Sequence, residues 1–147
     1  MASPPVHVDQ PKIYIPLDKW TDGATVGHVE TASKAWVSLL KTQNEVQDKV
    51  EACQDTLQKL EAAHVVIGKM CAAVFSVDGM TYRAIILNFH KEEAEVRFCD
   101  FGNKESVKIS SLLKLPKELD NTSAAAIGVI LEGMEGTRND EKNRLRI

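Results

Sequence analysis

Short strand-like segments separated by turn-forming residues dominate the middle of this chain. Segments of β type recur between positions 65 and 115, at 69–76, 81–88, 94–100 and 106–109. Pairs such as Asp78-Gly79 and Gly102-Asn103 stand between them and favour tight turns. Several short strands at these intervals indicate a small antiparallel barrel. We predict that its interior is filled by apolar residues of these strands: Val74, Ile85, Leu87, Val96 and Val107.

The N-terminal part of the chain has a different pattern. Residues 1–22 contain four prolines and no long apolar run, so they are predicted to form an extended arm. Neither a signal peptide nor a membrane span is expected there. Two strand-like runs follow, at 24–30 and 34–40, and the turn-prone segment 31–33 separates them. Adjacent antiparallel strands are therefore predicted.

A helix is predicted after these strands, over residues 42–63. Thr42 and Glu45 have the spacing of a capping box, in which two residues satisfy free amide donors at a helix start. Apolar residues then recur at steps of four and three, so they form one stripe: Val46, Val50, Cys53, Leu57 and Leu60. Because this stripe spans barely two heptads, a helix that bridges two β lobes is favoured over a coiled-coil dimer.

Charge and composition argue against several classes of function. The chain has 18 basic and 21 acidic side chains and a net charge of −3, which leaves no broad cationic surface for nucleic acid. Its three cysteines are odd in number and widely spaced, which predicts reduced thiols in an intracellular protein. The four histidines are scattered without a ligand pair, so no metal site and no cofactor are expected.

More than half of the aromatic residues are concentrated in one stretch of the chain. Five of the eight lie between positions 75 and 101, and four of these form the candidate group beside turn-forming residues: Phe75, Tyr82, Phe98 and Phe101. Rings gathered at strand ends suggest the wall of a cavity, and their π faces attract a weakly hydrated cation. The alternative is an ordinary packing role for each ring. Phe98, which is in mid-strand on the same face as Val96, is the clearest candidate for that role.

Two sequence strings resemble the Tudor domain family. They are CAAVFSVDGMTYRA at 71–84 and VRFCDFGN at 96–103. Family members usually have Trp-Tyr-Arg-Ala in the first string and Asp-Tyr-Gly-Asn in the second. Here Thr81 replaces the Trp and Phe101 replaces the Tyr. Weaker likenesses to the staphylococcal-nuclease-like lobe of extended Tudor domains occur at 26–29, 36–39 and 126–131.

The resemblance implies an α+β fold. A long helix would link a small antiparallel Tudor β-barrel to a partial nuclease-like β lobe of OB type. The expected division is an N-terminal arm (1–22), the first strands of the lobe (23–41), the linker helix (42–63), the Tudor barrel (64–117) and a further part of the lobe (118–147). In the family this lobe normally continues past the position of Ile147, so it is expected to be incomplete here.

The resemblance also implies a binding site. In methylarginine-binding members, four aromatic residues and an Asn enclose a dimethylated guanidinium group. By motif position, these residues are Phe75, Tyr82, Phe98, Phe101 and Asn103. Asp100 corresponds to an acidic residue of the family turn, where it would support the turn backbone or favour a cationic guest.

The function implied by the resemblance is that of a non-catalytic interaction module. By similarity to germline Tudor proteins, the ligand would be a symmetrically dimethylated arginine in the tail of a PIWI-class Argonaute. Other Tudor proteins are further candidate partners. The role would be scaffolding in piRNA silencing, in the cytoplasmic germ granules called nuage. No direct contact with nucleic acid or with a membrane is expected.

Three alternatives stay open at this point. A chromatin Tudor domain that reads methyl-lysine would use a similar box of rings, although that ligand gains less from the Asn. A nucleic-acid-binding or nuclease-related protein would need a cationic surface, or clustered carboxylates and arginines, and the sequence shows no such cluster outside 138–146. The third alternative is binding of an unmethylated segment.

Overall fold

Two antiparallel β-sheets with a helix between them make up residues 23–130, the part of the chain that this computed structural model describes. The first sheet has the order β1-β2-β7 and consists of β1 (Ala24–Val29), β2 (Lys34–Leu39) and β7 (Ala126–Ile130). The second sheet follows chain order and consists of β3 (Met70–Val74), β4 (Thr81–His90), β5 (Glu93–Phe98) and β6 (Lys104–Lys108). The predicted α+β architecture is therefore confirmed.

Two helices accompany the sheets. Helix α1 (Leu40–Cys53) follows β2 directly, and the single-turn helix α2 (Lys117–Asp120) precedes β7. No helix within residues 23–130 is long and apolar enough to cross a membrane. The predicted N-terminal arm and the part of the predicted lobe beyond residue 130 lie outside the described residues.

The second sheet corresponds to the predicted Tudor barrel, but its strands do not form a continuous closed ladder. Adjacent strands pair in the order β3-β4-β5-β6. The chain after β6 returns to β3 through two hydrogen bonds between Ala72 and Leu113, each 2.9 Å from nitrogen to oxygen. This one pair of residues joins the two ends of the sheet.

On β3 and β4 of the second sheet, the side chains that face the core are not the predicted ones. The buried residues on these strands are small or aliphatic: Cys71, Ala73, Ala84 and Ile86. Val74 is 42% exposed, while Ile85 and Leu87 are only half-buried, so their assignment to the interior is wrong. Side chains alternate between the faces of a strand, and a shift of one residue therefore moves the whole set. Val96 is buried as predicted, and Val107 packs against the same cluster.

Helix α1 begins earlier and ends earlier than predicted. Its first residue is Leu40, whose amide donates to the Gly23 carbonyl at 2.7 Å, and no side chain caps its N-terminus. Thr42 and Glu45 lie inside the helix, so the predicted capping box does not form. The sequence pattern identified a helix there, but the direct continuation from β2 decides where it starts.

The predicted C-terminal half of this helix takes other conformations. A turn of 3-10 helix covers Gln54–Thr56, and Leu57 has extended backbone. Lys59 forms an antiparallel bridge with Leu113, and the Lys114 amide donates to the Gln58 carbonyl at 2.7 Å. Pairing with a distant segment therefore replaces the helical hydrogen bonds that local spacing predicted.

The apolar stripe still joins α1 to the second sheet. Val46 and Val50 are buried against Ala72 of β3, Leu115 and Leu119. Cys53 and Leu57 pack against this cluster while half-buried, whereas Leu60 lies in the core of the second sheet. The stripe thus packs against other residues of the same chain, as expected for a helix that braces the barrel.

A buried ion pair connects the second sheet to the chain that leads into β7. Arg83 is fully buried, and it donates to both carboxylate oxygens of Asp100, at 2.9 Å and 2.5 Å. Its other N–H groups donate to the carbonyls of Leu119, Thr122 and Ser123. The guanidinium plane thus satisfies its donors on one side chain and three main-chain oxygens, which is the condition for a buried charge.

The stripe on α1 yields a first prediction. Val50→Ala removes two methyl groups from a site without solvent exposure, so the free energy of unfolding should fall by about 1.5 to 3 kcal/mol. The measurement is urea denaturation followed by circular dichroism. Val77→Ala is the matched control, because Val77 is 79% exposed and should change stability by less than about 0.5 kcal/mol. Equal effects of the two variants would show that the stripe is not buried.

The ion pair yields a second prediction. Asp100→Asn leaves the Arg83 charge buried without its carboxylate, which should lower the free energy of unfolding by about 3 to 5 kcal/mol. Asp120→Asn is the control, because its pair with Lys69 is partly exposed and should contribute less than about 1 kcal/mol. A loss at Asp100 no larger than the loss at Asp120 would contradict the role assigned to this pair.

Candidate functional site

The four aromatic residues that the sequence placed at strand ends meet at one end of the second sheet. The centre of the Tyr82 ring lies 5.1 Å from that of Phe101 and 6.0 Å from that of Phe98. The centre of the Phe75 ring lies 5.3 Å from that of Phe98 and 6.3 Å from that of Tyr82. All four pairs are edge-to-face, with interplanar angles between 65° and 81°. The rings therefore form one connected group.

This group encloses an open cavity of about 420 Å³. The four rings and Asn103 line it, so the structure brings together all five residues of the predicted cage. Three further residues line the same cavity: Gly27 and His28 from β1, and Asp78 from the β3–β4 hairpin. The first sheet thus supplies part of the wall.

The four rings differ in how far they face solvent. Phe98 is only 1% exposed and also belongs to the core cluster of the lobe. Phe75, Tyr82 and Phe101 are half-buried. Phe98 is therefore both a core residue and the floor of the cavity, while the other rings form its sides. The sequence left open whether Phe98 lines a cavity or packs in the core, and in the structure it does both.

Tyr82 and Asp78 form a polar edge of the cavity. The Tyr82 hydroxyl donates a short hydrogen bond to one carboxylate oxygen of Asp78, and the Met80 amide donates to the other at 2.9 Å. These hydrogen bonds, that of Tyr82 above all, lower the pKa of Asp78 below its usual value. Burial, followed by the Asp78 hydrogen bond and charge, raises the pKa of Tyr82 to about 12. At neutral pH the pair is a neutral phenol and a carboxylate.

The turn that carries Phe101 and Asn103 is held by its own main chain. The Phe98 amide donates to the Asn103 carbonyl at 2.9 Å, and the Phe101 and Gly102 amides donate to the Phe98 carbonyl. Gly102 has a φ of +109°, which favours glycine. A Cβ atom there would also lie 2.2 Å from the Cβ of Trp36 on β2. The turn is therefore pressed against the first sheet.

Two glycines and an arginine lock this contact between the sheets. A Cβ atom on Gly27 would lie 2.2 Å from the Phe101 carbonyl oxygen, so only glycine allows β1 to approach the turn. Arg97 stacks on the Trp36 ring, with its guanidinium carbon 4.1 Å from a ring centre, and donates to the Gly102 carbonyl at 2.5 Å. The position of Phe101 thus depends on both sheets.

Asp100 does not face the cavity. Its carboxylate is 2% exposed, pairs with Arg83 and accepts the Ala125 amide at 2.9 Å. Because the Asp100 carboxylate is paired with Arg83 and buried, the expectation that it attracts a cationic guest directly is wrong. Asp78, which the sequence analysis treated only as a turn residue, is the carboxylate at the cavity.

Three lining residues were therefore not predicted from the sequence. Asp78 had a usable signal, since it stands four residues before Tyr82 across a tight hairpin. Gly27 and His28 had none, because only the packing of β1 on the turn places them there. Within residues 23–130, no group of three or more His, Cys, Asp or Glu side chains is arranged to hold a metal ion.

The Tyr82–Asp78 contact yields a third prediction. Tyr82→Phe removes the strongest hydrogen bond to the carboxylate, so the pKa of Asp78 should rise towards its usual value. A lowered pKa stabilises the fold above the unfolded-state pKa, and this stabilisation is lost as the pH falls through the folded-state pKa. In the variant this stabilisation should be smaller, and its loss should be complete at a higher pH. The measurement is the pH titration of the Asp78 carboxyl carbon by NMR. Phe89→Leu, at an exposed ring on the same strand, is the control, and an unchanged Asp78 titration in Tyr82→Phe would contradict the contact.

Comparison with known proteins identifies the family. Residues 18–133 match the Tudor domain. The chain is 27% identical over 122 residues to "Tudor domain-containing 6" of Danio rerio, which covers 76% of this chain and 6% of that protein. It is 30% identical over 98 residues to "Protein tudor" of Drosophila melanogaster, which covers 67% of this chain and 4% of that protein. The chain thus spans a small part of the length of these relatives.

Solved structures show the same fold. The human TDRD1 extended Tudor domain, in complex with a symmetrically dimethylated peptide, has a TM-score of 0.62 and 27% identity over 71% of this chain and 54% of that one. Extended-Tudor 9 of Drosophila melanogaster has a TM-score of 0.61 and 26% identity over 72% of this chain and 58% of that one. A Tudor complex with Aubergine has a TM-score of 0.63 at 23% identity, over 71% of this chain and 63% of that one.

These matches identify the fold of the described residues. Tudor domains are interaction modules, and the described residues combine such a module with strands of a second lobe, as in the extended Tudor structures. The family match covers more than three quarters of the chain, from residue 18 to residue 133. The chain is therefore a member of the Tudor domain family.

Proposed function

We propose that this chain is a non-catalytic interaction module that binds a peptide through a symmetrically dimethylated arginine. The observation that carries the proposal is the cavity itself. Four rings, an amide and a carboxylate line one open space of about 420 Å³. No single residue of this set indicates the ligand, but the combination suits a flat, apolar cation with N–H donors.

The chemistry of methylated arginine matches each part of the wall. Methylation removes N–H donors and spreads an apolar surface over a group that keeps its positive charge, so the group favours π faces over water. In the proposed complex, the Asn103 amide oxygen accepts one of the remaining N–H groups and fixes the guanidinium plane. The Asp78 carboxylate adds a negative charge to the wall of the cavity.

The cavity alone supplies only part of the binding free energy. Each cation–π contact contributes roughly 0.5 to 2 kcal/mol, depending on burial. An ordinary micromolar complex requires about 8 kcal/mol. Contacts with the residues beside the methylarginine must supply the rest. Exposed apolar side chains of the β3–β4 hairpin, Val74 and Val77, are available for such contacts.

The similarity to human TDRD1 supports the ligand class. That extended Tudor domain was solved with a symmetrically dimethylated peptide and is 27% identical to this chain. By the resemblance to germline Tudor proteins, we propose that the partner is the arginine-rich tail of a PIWI-class Argonaute. The proposed role is scaffolding in piRNA silencing, and the proposed location is the cytoplasmic germ granule.

The fourth prediction tests the ligand class. A symmetrically dimethylated arginine peptide should bind several-fold more tightly than the same peptide unmodified, with monomethylated, asymmetrically dimethylated and trimethyl-lysine versions in between. Calorimetric titration of the full chain measures all five affinities. Because the rings bind one cation and not a row of phosphates, the affinity should depend only weakly on salt.

Variants locate the binding to the cavity. Phe101→Ala should remove detectable binding, and Asn103→Ala should weaken it, with the fold retained in both. Phe89→Ala is the matched control, because Phe89 is a half-exposed ring on β4 outside the cavity. Phe98 is unsuitable for this test, since a buried Phe replaced by Ala costs about 3 to 5 kcal/mol of stability.

Three results would overturn the proposal. Equal affinities for the methylated and unmodified peptides would exclude recognition of methylarginine. Tighter binding of the methyl-lysine peptide would indicate a methyl-lysine reader. Tighter binding of single-stranded RNA, with a steep dependence on salt, would favour a nucleic-acid-binding function.

A further inference from the structure

A second cleft lies on the Tudor lobe, which is the part of the chain built on β3, β4, β5 and β6. This cleft and the aromatic cavity are at opposite ends of the lobe. The cleft has a volume of about 520 Å³ and is lined by side chains of Lys59, Lys91 and Lys108, with Leu60, Ile109 and Glu92. Strand β5 leads from Glu93 beside this cleft to Phe98 at the cavity. Five residue steps along a strand span about 17 Å, so the two sites are separate.

The three lysines come from three distant parts of the chain. Lys59 follows the 3-10 turn after α1, Lys91 lies in the β4–β5 turn, and Lys108 ends β6. Within residues 23–130, none of the three lysines forms an ion pair. The ion pairs in this part of the chain are formed by other basic residues: Lys34, Lys49, Lys69, Arg83 and Arg97. Among the described lining residues, Glu92 alone carries a carboxylate. Among the described lining residues, folding thus brings together three cationic side chains and one anionic side chain in a chain whose net charge is −3.

The backbone around the cleft is fixed by hydrogen bonds. The Ile109 amide donates to the Glu92 carbonyl at 2.8 Å, and the Leu60 amide donates to the Leu112 carbonyl at 3.0 Å. Lys59 is held by its bridge to Leu113. The backbone segments that carry Lys59 and Lys108 are therefore tied to the sheet, and the cleft that the three lysines line is formed without a ligand.

Lys91 occupies an unusual backbone position. Its φ is +56°, and no other non-glycine residue among 23–130 has a positive φ. Glycine adopts this conformation without cost, whereas a residue with a Cβ does not. A lysine here thus occupies a turn conformation that glycine adopts more readily, and it lines the cleft.

We propose that this lysine cleft is a second binding site, which takes an acidic segment of a protein partner. Carboxylate or phosphate groups on that segment would pair with the three ammonium groups, and its apolar neighbours would pack on Leu60 and Ile109. A nucleic acid fits less well. The described lining residues include no aromatic ring on which a base could stack, and three lysines do not form a phosphate-tracking stripe.

The test uses the full chain labelled with ¹⁵N and three acetylated peptides of equal length. One contains consecutive glutamates, one contains phosphoserines at the same positions, and one contains glutamines. The glutamate and phosphoserine peptides should shift the amide signals of the cleft residues, and the glutamine peptide should not. Tighter binding of the phosphoserine peptide would assign the site to phosphorylated segments, and equal binding would assign it to acidic segments in general.

Variants at the cleft make the test specific. Lys59→Gln, Lys91→Gln and Lys108→Gln should each weaken the acidic peptides by about two- to fivefold, as expected for exposed ion pairs. The triple variant should lose at least about tenfold. Lys104→Gln is the matched control, because it lies on β6 with Lys108 but at the end near the cavity. Thermal unfolding confirms that each variant is folded.

The outcome is independent of the proposed methylarginine site. Affinity for the dimethylarginine peptide should be the same in the triple variant and the original chain, so either proposal can fail alone. Failure of both acidic peptides to bind, or unchanged affinity in the triple variant, would overturn this proposal. Tighter binding of an eight-nucleotide single-stranded RNA than of either acidic peptide, with shifts at the cleft, would also overturn it.

Discussion

The buried ion pair between Arg83 and Asp100 holds the two sheets in the arrangement on which the aromatic cavity depends. Each partner is the chain neighbour of a cavity ring, since Tyr82 precedes Arg83 and Phe101 follows Asp100. On β4 the alternation of side chains sends the ring and the charge to opposite faces. The pair thus fixes the backbone of residues whose rings face the other way. Without its partners, a buried guanidinium would be strongly destabilising.

The cavity also depends on close contact between the two lobes. Gly27 and Gly102 remove the side chains that would separate β1 and β2 from the β5–β6 turn. Trp36 fills the junction, with Lys34 5.2 Å and Arg97 4.1 Å from ring centres. Arg97 also donates to Glu30, which pairs in turn with Lys34. The turn that bears Phe101 and Asn103 therefore rests on the first sheet, and the Tudor lobe alone would not hold it in the same way.

Charge is distributed unevenly along the Tudor lobe. Carboxylates lie near the aromatic cavity, where Asp78 accepts the Tyr82 hydroxyl and Glu105 accepts the Ser76 amide. Lys59, Lys91 and Lys108, which form no ion pair within residues 23–130, lie at the opposite end. A chain with a small net charge can thus present a cation-attracting surface and an anion-attracting surface at once. The net charge of the chain argued against a broad cationic surface, but it does not give the local charge at either end of the Tudor lobe.

The sequence by itself determined the elements and most of the candidate site. Strand spacing, turn pairs and the positions of Phe75, Tyr82, Phe98, Phe101 and Asn103 are local features, and the structure brings those five residues together as the family motif implied. Local patterns did not determine the inward face of β3 and β4, the end of α1 at Cys53, or the burial of Asp100. The places of Gly27 and His28 were also left undetermined. Each of these depends on a partner far away in the chain: Lys59 leaves the helical pattern to pair with Leu113, and Asp100 turns away from the cavity to pair with Arg83. Only the tertiary structure decides such contacts, because the free energy of pairing and burial between distant segments exceeds the local preferences that a sequence pattern records.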